Sequence, residues 1–280
     1  MNTHRVVLIT GASSGIGQAC AQHLHRQGYR VYGTSRKAPW PSLLHPSEAQ
    51  PAESFVLLPL DVTQDSSVKQ VVGAIWEHEG RLDVVVNNAG VALVGSVEDT
   101  SLEEAQAEFD TNFFGVLRVC QAVLPLMRQQ QSGCIVNISS IAATIGIPFQ
   151  SVYSASKAAL EGLTESLRME VQPYGIRVVV VQPGDIDTGI AARRQKTEAV
   201  QGSNYQKRLD RALAVMEKDE MAGPPPETVA LLVQRIIETP HPRVRYVAAP
   251  LTEHGALALK KTLPSRVFEW ALMKYYHIRL

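Results

Sequence analysis

The chain has 280 residues, enough for one large α/β domain or two small ones, with 27 basic and 27 acidic residues. This balanced charge provides no global field that would recruit nucleic acid. Three cysteines, an odd and sparse set, argue against a disulfide framework, and the eight histidines have no metal-ligand spacing. The first apolar run, at 6–9, is too short for a signal peptide or a membrane span, so a cytoplasmic location is expected.

The first predicted elements are a strand, a glycine turn and a helix. Residues 5–10 read as a buried strand and run into Gly11, Gly15 and Gly17, after which residues 18–26 have helical spacing. In this context a glycine-rich loop binds a dinucleotide pyrophosphate, because glycine allows close backbone approach and the helix N-terminus faces the anion. The spacing is G-x-x-x-G-x-G rather than G-x-G-x-x-G. A tight turn without a ligand is the alternative, and we favour nucleotide binding.

The second predicted strand, 29–34, indicates the cofactor. About twenty residues past the glycines, where an acidic residue would bind the ribose hydroxyls of NAD, the chain reads Thr34-Ser35-Arg36-Lys37. Two cations and no carboxylate favour the 2′-phosphate of NADP(H). Residues 37–54 contain four prolines and are predicted to form a surface loop.

Strands and helices alternate along the rest of the chain. Further strands are predicted at 55–60, 82–86, 134–138, 176–181 and 244–248, and helices at 66–79, 100–130 and 154–171. A capping box formed by Thr100 and Glu103 is expected to begin the second of these helices. With no composition break, the pattern predicts an α/β fold: one doubly wound Rossmann-type domain over residues 1–250, with a parallel sheet between helices on both faces. Small and amide residues after the strands suit a ligand crevice.

Tyr153 and Lys157 stand four residues apart, so a helix places them on one face, one turn apart. An ammonium close to a phenol stabilises the phenolate and favours acid–base catalysis on a carbonyl or alcohol oxygen. A serine from the preceding strand end could hold that oxygen. Alone the pair is a weak signal, since a surface tyrosine packed on a lysine stem has the same spacing.

Five motifs in order make the chain resemble the short-chain dehydrogenase/reductase family, in its NADP-preferring type, over roughly residues 5–250. The motifs are Thr10-Gly11-Ala-Ser-Ser-Gly15-Ile-Gly17, Asp61-Val62, Asn87-Asn88-Ala89-Gly90, Tyr153-x-x-x-Lys157 and Pro183-Gly184-x-Ile186-x-Thr188. The resemblance implies an NADP(H)-dependent oxidoreductase that forms a homodimer or homotetramer.

The resemblance also implies residue roles. Tyr153 would be the acid/base, Lys157 would lower its pKa and hold the nicotinamide ribose, and Asn112 would anchor a water relay to the lysine. Ser140 would hold the substrate oxygen, with Ser139 as the fallback. The cofactor would be bound by Gly11, Ser13, Ser14, Gly15, Ile16, Gly17, Ser35, Arg36, Asp61, Val62, Asn88, Ala89, Gly90, Tyr153, Lys157, Pro183, Gly184, Ile186 and Thr188.

Candidate pocket residues are nearly all apolar: Val91, Leu93, Val94, Ala142, Thr144, Phe149 and Ile190. Residues 189–222 are a candidate substrate loop, with Tyr205, Leu209, Leu213 and Met216 on one helical stripe that either forms a lid or packs on the domain. The substrate expected is a small apolar ketone, aldehyde or secondary alcohol of steroid, retinoid or acyl type. A catalytically silent NADP-binding regulator is the alternative.

Residues 251–280 lie beyond the resemblance and mix apolar and aromatic residues with an excess of basic ones. Pro264 divides this tail, which predicts two short helices with Ser265 as a cap for the second. The tail is expected to pack on the same domain. Contact with an anionic membrane surface is the less favoured alternative.

Overall fold

The computed structural model describes residues 5–41, 55–189 and 194–278. Its main sheet has seven parallel strands in the order β3-β2-β1-β4-β6-β7-β9, and β5 pairs with β8 in a separate two-stranded ribbon. The strands are β1 (Val6–Ile9), β2 (Arg30–Ser35), β3 (Val56–Pro59), β4 (Val84–Asn87), β5 (Leu93–Val94), β6 (Gly133–Ile138), β7 (Ile176–Pro183), β8 (Gln195–Lys196) and β9 (Arg245–Ala248).

Helices cover both faces of the main sheet. The α-helices are α1 (Gly15–Arg26), α2 (Asp65–Glu79), α3 (Leu102–Phe109), α4 (Gly115–Gln130), α5 (Ser151–Val171), α6 (Gln206–Ala222), α7 (Glu227–Glu238), α8 (Leu251–Thr262) and α9 (Ser265–Tyr275). One core cluster joins the sheet to α2, α4 and α5, and a second joins the opposite face to α1 and α7. The strands read as continuous apolar runs because parallel strands are buried on both sides.

The predicted fold class is confirmed: a parallel sheet lies between two helical layers in one doubly wound domain. Strands β2 and β3 are added to one side of β1 and the later strands of the main sheet to the other, so β1 and β4 are neighbours although β2 and β3 lie between them in sequence. The strand order therefore switches direction between β1 and β4. A ligand crevice in such sheets lies outside the carboxyl ends of the strands at this switch point. The predicted loop at 37–54 falls mostly outside the described residues, and the described part, 37–41, has no strand or helix.

Three boundary predictions are wrong by one to three residues. The capping box is formed by Ser101 and Glu104, not by Thr100 and Glu103, because Glu104 Oε2 accepts from the Ser101 N–H at 2.8 Å. Helix α1 begins at Gly15 instead of residue 18, and α5 begins at Ser151 instead of residue 154. Tyr153 therefore lies within the first turn of α5.

The predicted helix at 100–130 is a continuous helical rod with one irregular turn. A π-helical turn, Asp110–Phe114, separates α3 from α4. π turns occur mostly as single-turn bulges and frequently at functional sites. Here the turn contains Asn112, whose side chain is fully buried.

Two features were not predicted from the sequence. The β5–β8 ribbon has two residues in each strand, too few to produce a periodic pattern. Helix α7 received no prediction, although its buried residues Val229, Ala230, Val233 and Ile237 follow helical spacing.

The two predicted tail helices are present as α8 and α9. The side chain of Glu253 in α8 accepts from the Asp185 N–H at 3.1 Å, and the Tyr275 hydroxyl donates to Asp219 of α6 at 2.6 Å. Tyr276 and Ile278 pack against a third apolar cluster, which contains Val94, Leu209, Leu213 and Met216. Ser265 is the first residue of α9 and caps nothing with its side chain, because Pro264 occupies the N-cap position. No described helix is both long and apolar enough to cross a membrane.

Replacing Tyr276 with alanine should lower the melting temperature by several degrees. The substitution removes a partly buried aromatic ring from the third cluster, which is worth about 1–3 kcal/mol of unfolding free energy. Val267→Ala is the matched control, because Val267 is an exposed residue of α9, the helix that Tyr276 directly follows. Thermal unfolding of the two variants tests the packing of the tail, and equal melting temperatures would contradict it.

Candidate active site

The site lies at the carboxyl edge of the sheet, where the ends of β1, β4, β6 and β7 meet. The glycine turn follows β1, Asn88 to Gly90 follow β4, Ser139 and Ser140 follow β6, and Gly184 follows β7. Helix α5 crosses this edge and carries Tyr153 and Lys157. The fold thus brings five separate segments of the chain to one crevice.

Ser140 is the serine that faces Tyr153. It is the N-cap of a short 3₁₀ turn, Ile141–Ala143, and its Oγ accepts from the Ala142 N–H at 3.1 Å. Its hydroxyl also lies close enough to the Tyr153 side chain to lower the pKa of the phenol. Ser139 is buried and donates instead to Glu161 Oε1 at 2.9 Å. The geometry therefore favours Ser140, and Ser139 serves the core.

Lys157 is buried beside Tyr153 and bound to the sheet. Its Nζ donates to the Ile138 carbonyl oxygen at 3.0 Å and lies 5.8 Å from the centroid of the Tyr153 ring. Burial lowers the pKa of Lys157 to about 8, and the negative charge of Glu108 opposes this shift. The ammonium therefore titrates close to physiological pH.

Burial raises the pKa of Tyr153 to about 12, while the neighbouring Ser140 hydroxyl acts in the opposite direction. The nearby charges of Glu108 and Glu220 raise this pKa further, and that of Arg194 lowers it. At neutral pH Tyr153 is thus a protonated phenol, the form that donates a proton. The role predicted for Lys157, to lower the pKa of Tyr153, stays a prediction.

Asn112 holds the backbone next to the lysine. Its Oδ1 accepts from the Val91 N–H at 2.9 Å, and its Nδ2 donates to the Val91 carbonyl at 2.9 Å and to Ser156 Oγ at 3.1 Å. A methyl group on Gly90 would lie 3.1 Å from Asn112 Oδ1 and 3.6 Å from Lys157 Nζ. Gly90 therefore lies directly against both polar groups.

The glycine turn has the shape that a pyrophosphate requires. Gly11 and Gly15 have positive φ angles of 67° and 55°, and a Cβ on Gly17 would lie 2.3 Å from the Gly11 carbonyl oxygen. Asn88 Nδ2 donates to the carbonyl oxygens of Thr10 and Gly11, at 3.0 Å each. Backbone and helix N-terminus can therefore approach an anion closely, so the residues fit a dinucleotide. Asn88, one of the predicted cofactor-binding residues, thus supports the turn with its side chain.

The other predicted cofactor residues surround the same crevice. Ser35 ends β2, and Arg36 follows it with an exposed side chain. The carboxylate of Asp61 accepts from the N–H and the hydroxyl of Thr63, at 3.0 and 2.8 Å. The side chains of Val62 and Ile186 are buried in the two main cores. Ser13, Ser14 and Ile16 line the glycine turn, Ala89 lies beside Gly90, and Pro183, Gly184 and Thr188 lie at or beyond the end of β7.

The structure also brings charged residues to the site that the sequence analysis missed. Arg194 and Glu220 form an ion pair, and both charges affect Tyr153. Burial and a hydrogen bond to Glu253 raise the pKa of Asp185 to about 8. Arg194, Glu220 and Glu253 lie outside the five motifs, and Asp185 occupies an unspecified position of the last one. Charges from Arg194 and Glu220 thus act on Tyr153 in addition to the predicted apolar residues, and the apolar pocket stays a prediction.

The apolar side of the predicted pocket is partly assembled. Val94 and Phe149 pack with Leu209, Leu213 and Met216, so the α6 stripe contacts two of the candidate pocket residues. Both packing and a lid function remain compatible with this contact, and the lid stays a prediction. Ile190 lies outside the described residues.

Three comparisons with known proteins agree with this geometry. The family model of the short chain dehydrogenases matches residues 5–199. A 3-ketodihydrosphingosine reductase from Bacteroides thetaiotaomicron is 42% identical over 276 residues, which cover 98% of this chain and 99% of that protein. Retinol dehydrogenase 8 from Bos taurus is 42% identical over 188 residues, covering 66% of this chain and 60% of that protein. The X-ray structure of an alcohol dehydrogenase from Thermococcus sibiricus complexed with 5-hydroxy-NADP has a TM-score of 0.68 at 25% identity, covering 88% of this chain and 97% of that one.

Replacing Gly17 with alanine should weaken dinucleotide binding at least tenfold. The added methyl group would lie 2.3 Å from the Gly11 carbonyl oxygen and 2.4 Å from Asn88 Nδ2, so the turn must move. Gly73→Ala is the control, since a Cβ there meets nothing within 4 Å and should stabilise α2 by about 0.5–1 kcal/mol. Fluorescence titration with NADPH measures both, and wild-type affinity in the Gly17 variant would contradict the assignment.

Proposed function

The chain belongs to the short-chain dehydrogenase/reductase family. We propose that it reduces a long-chain ketone of the 3-ketodihydrosphingosine type with NADPH. The observation that carries the reaction class is Tyr153 close to the Ser140 hydroxyl and to the buried Lys157 ammonium. Together with the glycine turn, it assembles a proton donor and a dinucleotide site in one crevice. An oxidoreductase is the function that this combination supports.

In the proposed reaction the residues of the chain act on the carbonyl oxygen. Bound NADPH supplies the hydride that reaches the carbonyl carbon. Ser140 orients the carbonyl oxygen by a hydrogen bond, and Tyr153 transfers its phenolic proton to that oxygen. The product is a secondary alcohol, and the phenolate left on Tyr153 must regain a proton from solvent. The ammonium of Lys157, one turn away, stabilises that phenolate.

The preference for NADP rests on the end of β2. Arg36 is exposed just after Ser35, where a 2′-phosphate of the cofactor would lie, and its guanidinium suits bidentate binding of a phosphate. Solved relatives include a structure with an NADP derivative, which supports the same choice. The carboxylate of Asp61, which follows β3, accepts hydrogen bonds from Thr63.

The substrate class rests on the relative that matches over nearly the whole length of both chains. A 3-keto long-chain base combines an apolar chain with an amino group on the carbon beside the ketone. The apolar cluster around Val94 and Phe149 suits the chain. The carboxylate of Glu220, whose charge acts on Tyr153, suits an ammonium at that position. This charge favours an amino ketone over a retinoid, which carries no cation.

Oligomerisation stays a proposal. A groove of about 510 Å³ on the outer side of α3 and the π turn is lined by Leu102, Ala105, Phe109 and Phe114 among others. Leu102 and Phe114 are exposed. An apolar groove of this kind supports a homodimer or homotetramer formed through the long helices near Asn112 and Tyr153. A cytoplasmic location also stays a prediction.

The purified protein should oxidise NADPH with 3-ketodihydrosphingosine, and Tyr153→Phe should reduce this activity by about 10²–10⁴-fold, because it deletes the proton donor. Loss of absorbance at 340 nm measures turnover. Affinity for NADPH should stay within a few-fold of wild type, as Phe keeps the ring. Retinaldehyde and the N-acylated ketone serve as comparison substrates.

Three results would contradict parts of this proposal. Tight NADPH binding without turnover of any ketone or aldehyde would favour the silent regulator. Faster turnover of retinaldehyde, or equal turnover of the N-acylated ketone, would remove the argument from Glu220. A Tyr153→Phe enzyme with more than about a hundredth of wild-type activity would exclude Tyr153 as the proton donor.

Arg36→Asp should shift the cofactor preference toward NAD. A charge-assisted hydrogen bond is worth about 1.5–3 kcal/mol, so the affinity for NADPH should fall at least tenfold while that for NADH changes little. Lys69→Asp, an exposed residue of α2, controls for the change in net charge. Titration of both cofactors gives the ratio, and a wild-type protein that binds both equally would refute the role of Arg36.

A further inference from the structure

Glu108 is a buried carboxyl beside the site that the proposed reaction does not use. It lies in the last turn of α3, four residues before Asn112, with an exposed fraction of 2%. Its Oε1 accepts from the Leu93 N–H at 3.1 Å and from Asn112 Nδ2 at 3.4 Å. Its Oε2 is fully buried and has no hydrogen-bond partner among the described residues.

A buried, half-satisfied carboxylate is costly unless a charge compensates it. In the described part of the chain, two titratable groups interact with Glu108, those of Lys157 and Tyr153, and both belong to α5. Burial raises the pKa of Glu108 to about 7, and the ammonium of Lys157 opposes this shift. In return, the charge of Glu108 raises the pKa of Lys157 and that of Tyr153. The charge of Glu108 therefore acts on both groups of α5, and the charge of Lys157 acts on Glu108.

We propose that Glu108 is a positioning residue that keeps Lys157 an ammonium and Tyr153 a phenol over the working pH range. Its Oε1 also orients the amide of Asn112, which holds the backbone of Val91. This inference rests on the proposed role of Tyr153 as the proton donor. It assigns a function to a residue outside all five motifs.

The sign of the effect follows from the charges. Removing the negative charge of Glu108 lowers the pKa of Tyr153 and that of Lys157, because the phenolate loses a repelling anion and the ammonium loses a stabilising one. Reduction needs the Lys157 ammonium as well as the phenol, so the rate falls as pH rises through the pKa of Lys157, about 8. Without Glu108, this fall should begin at lower pH.

The test compares Glu108→Gln with Glu103→Gln, an exposed residue of the same helix. When kcat/KM for ketone reduction is measured between pH 6 and 10, the pH at which it falls should be about one unit lower for the Glu108 variant than for wild type. Its rate at the acidic end of that range should stay within a few-fold of wild type. The Glu103 variant should match wild type throughout. Superimposable profiles, or a uniform loss at every pH, would overturn the proposal.

Thermal unfolding gives a second readout that needs no substrate. The pKa of Glu108 is raised from 4.5 to about 7 in the folded protein. Between these two pH values the folded state holds a proton on Glu108 that the unfolded state has released, so the protein loses stability as the pH rises through this range. Glutamine lacks this proton. The melting temperature of Glu108→Gln minus that of wild type should therefore increase between pH 5 and pH 8. A constant difference would overturn the proposal, even if the protein reduced no ketone.

Discussion

The hydrogen bond from Lys157 Nζ to the Ile138 carbonyl oxygen ties the site to the sheet. An ammonium buried at this depth must have hydrogen-bond acceptors and a nearby anion, because its desolvation is costly. Ile138 at the end of β6 provides the acceptor, and Glu108 at the end of α3 provides the charge. The lysine therefore fixes the distance between α5 and β6, and Tyr153 and Ser140 meet as a result. Function and packing depend here on the same contact.

The sheet could be predicted from the sequence because buried parallel strands are short runs of β-branched residues that end in polar or glycine motifs. Residues 84–87 read Val-Val-Val-Asn, and 176–183 read Ile-Arg-Val-Val-Val-Val-Gln-Pro. Helix starts were less predictable, since the first turn has no periodicity of its own. Ser151 and Gly15 begin their helices with residues that suit loops equally well.

The candidate site could be predicted only where spacing within one segment carries the chemistry. The glycine turn and the Tyr153–Lys157 pair are local and were found in the sequence. Glu108 and Glu220 were not, because each reaches the site through a separate helix. A carboxylate in an amphipathic helix is usually on the solvated face, so burial alone distinguishes Glu108 from Glu103. Only the tertiary structure supplies that distinction.

The π turn at Asp110–Phe114 sets the rotational phase of a whole helix. A π turn carries one residue more than an α turn, which offsets everything after it by about 100° around the axis. Val116, Val119, Cys120 and Val123 of α4 face the core in that offset frame. Deleting a single residue from the turn would restore a regular helix and rotate this apolar stripe away from the sheet. The inward amide of Asn112 and the buried face of α4 are thus two outcomes of one extra residue.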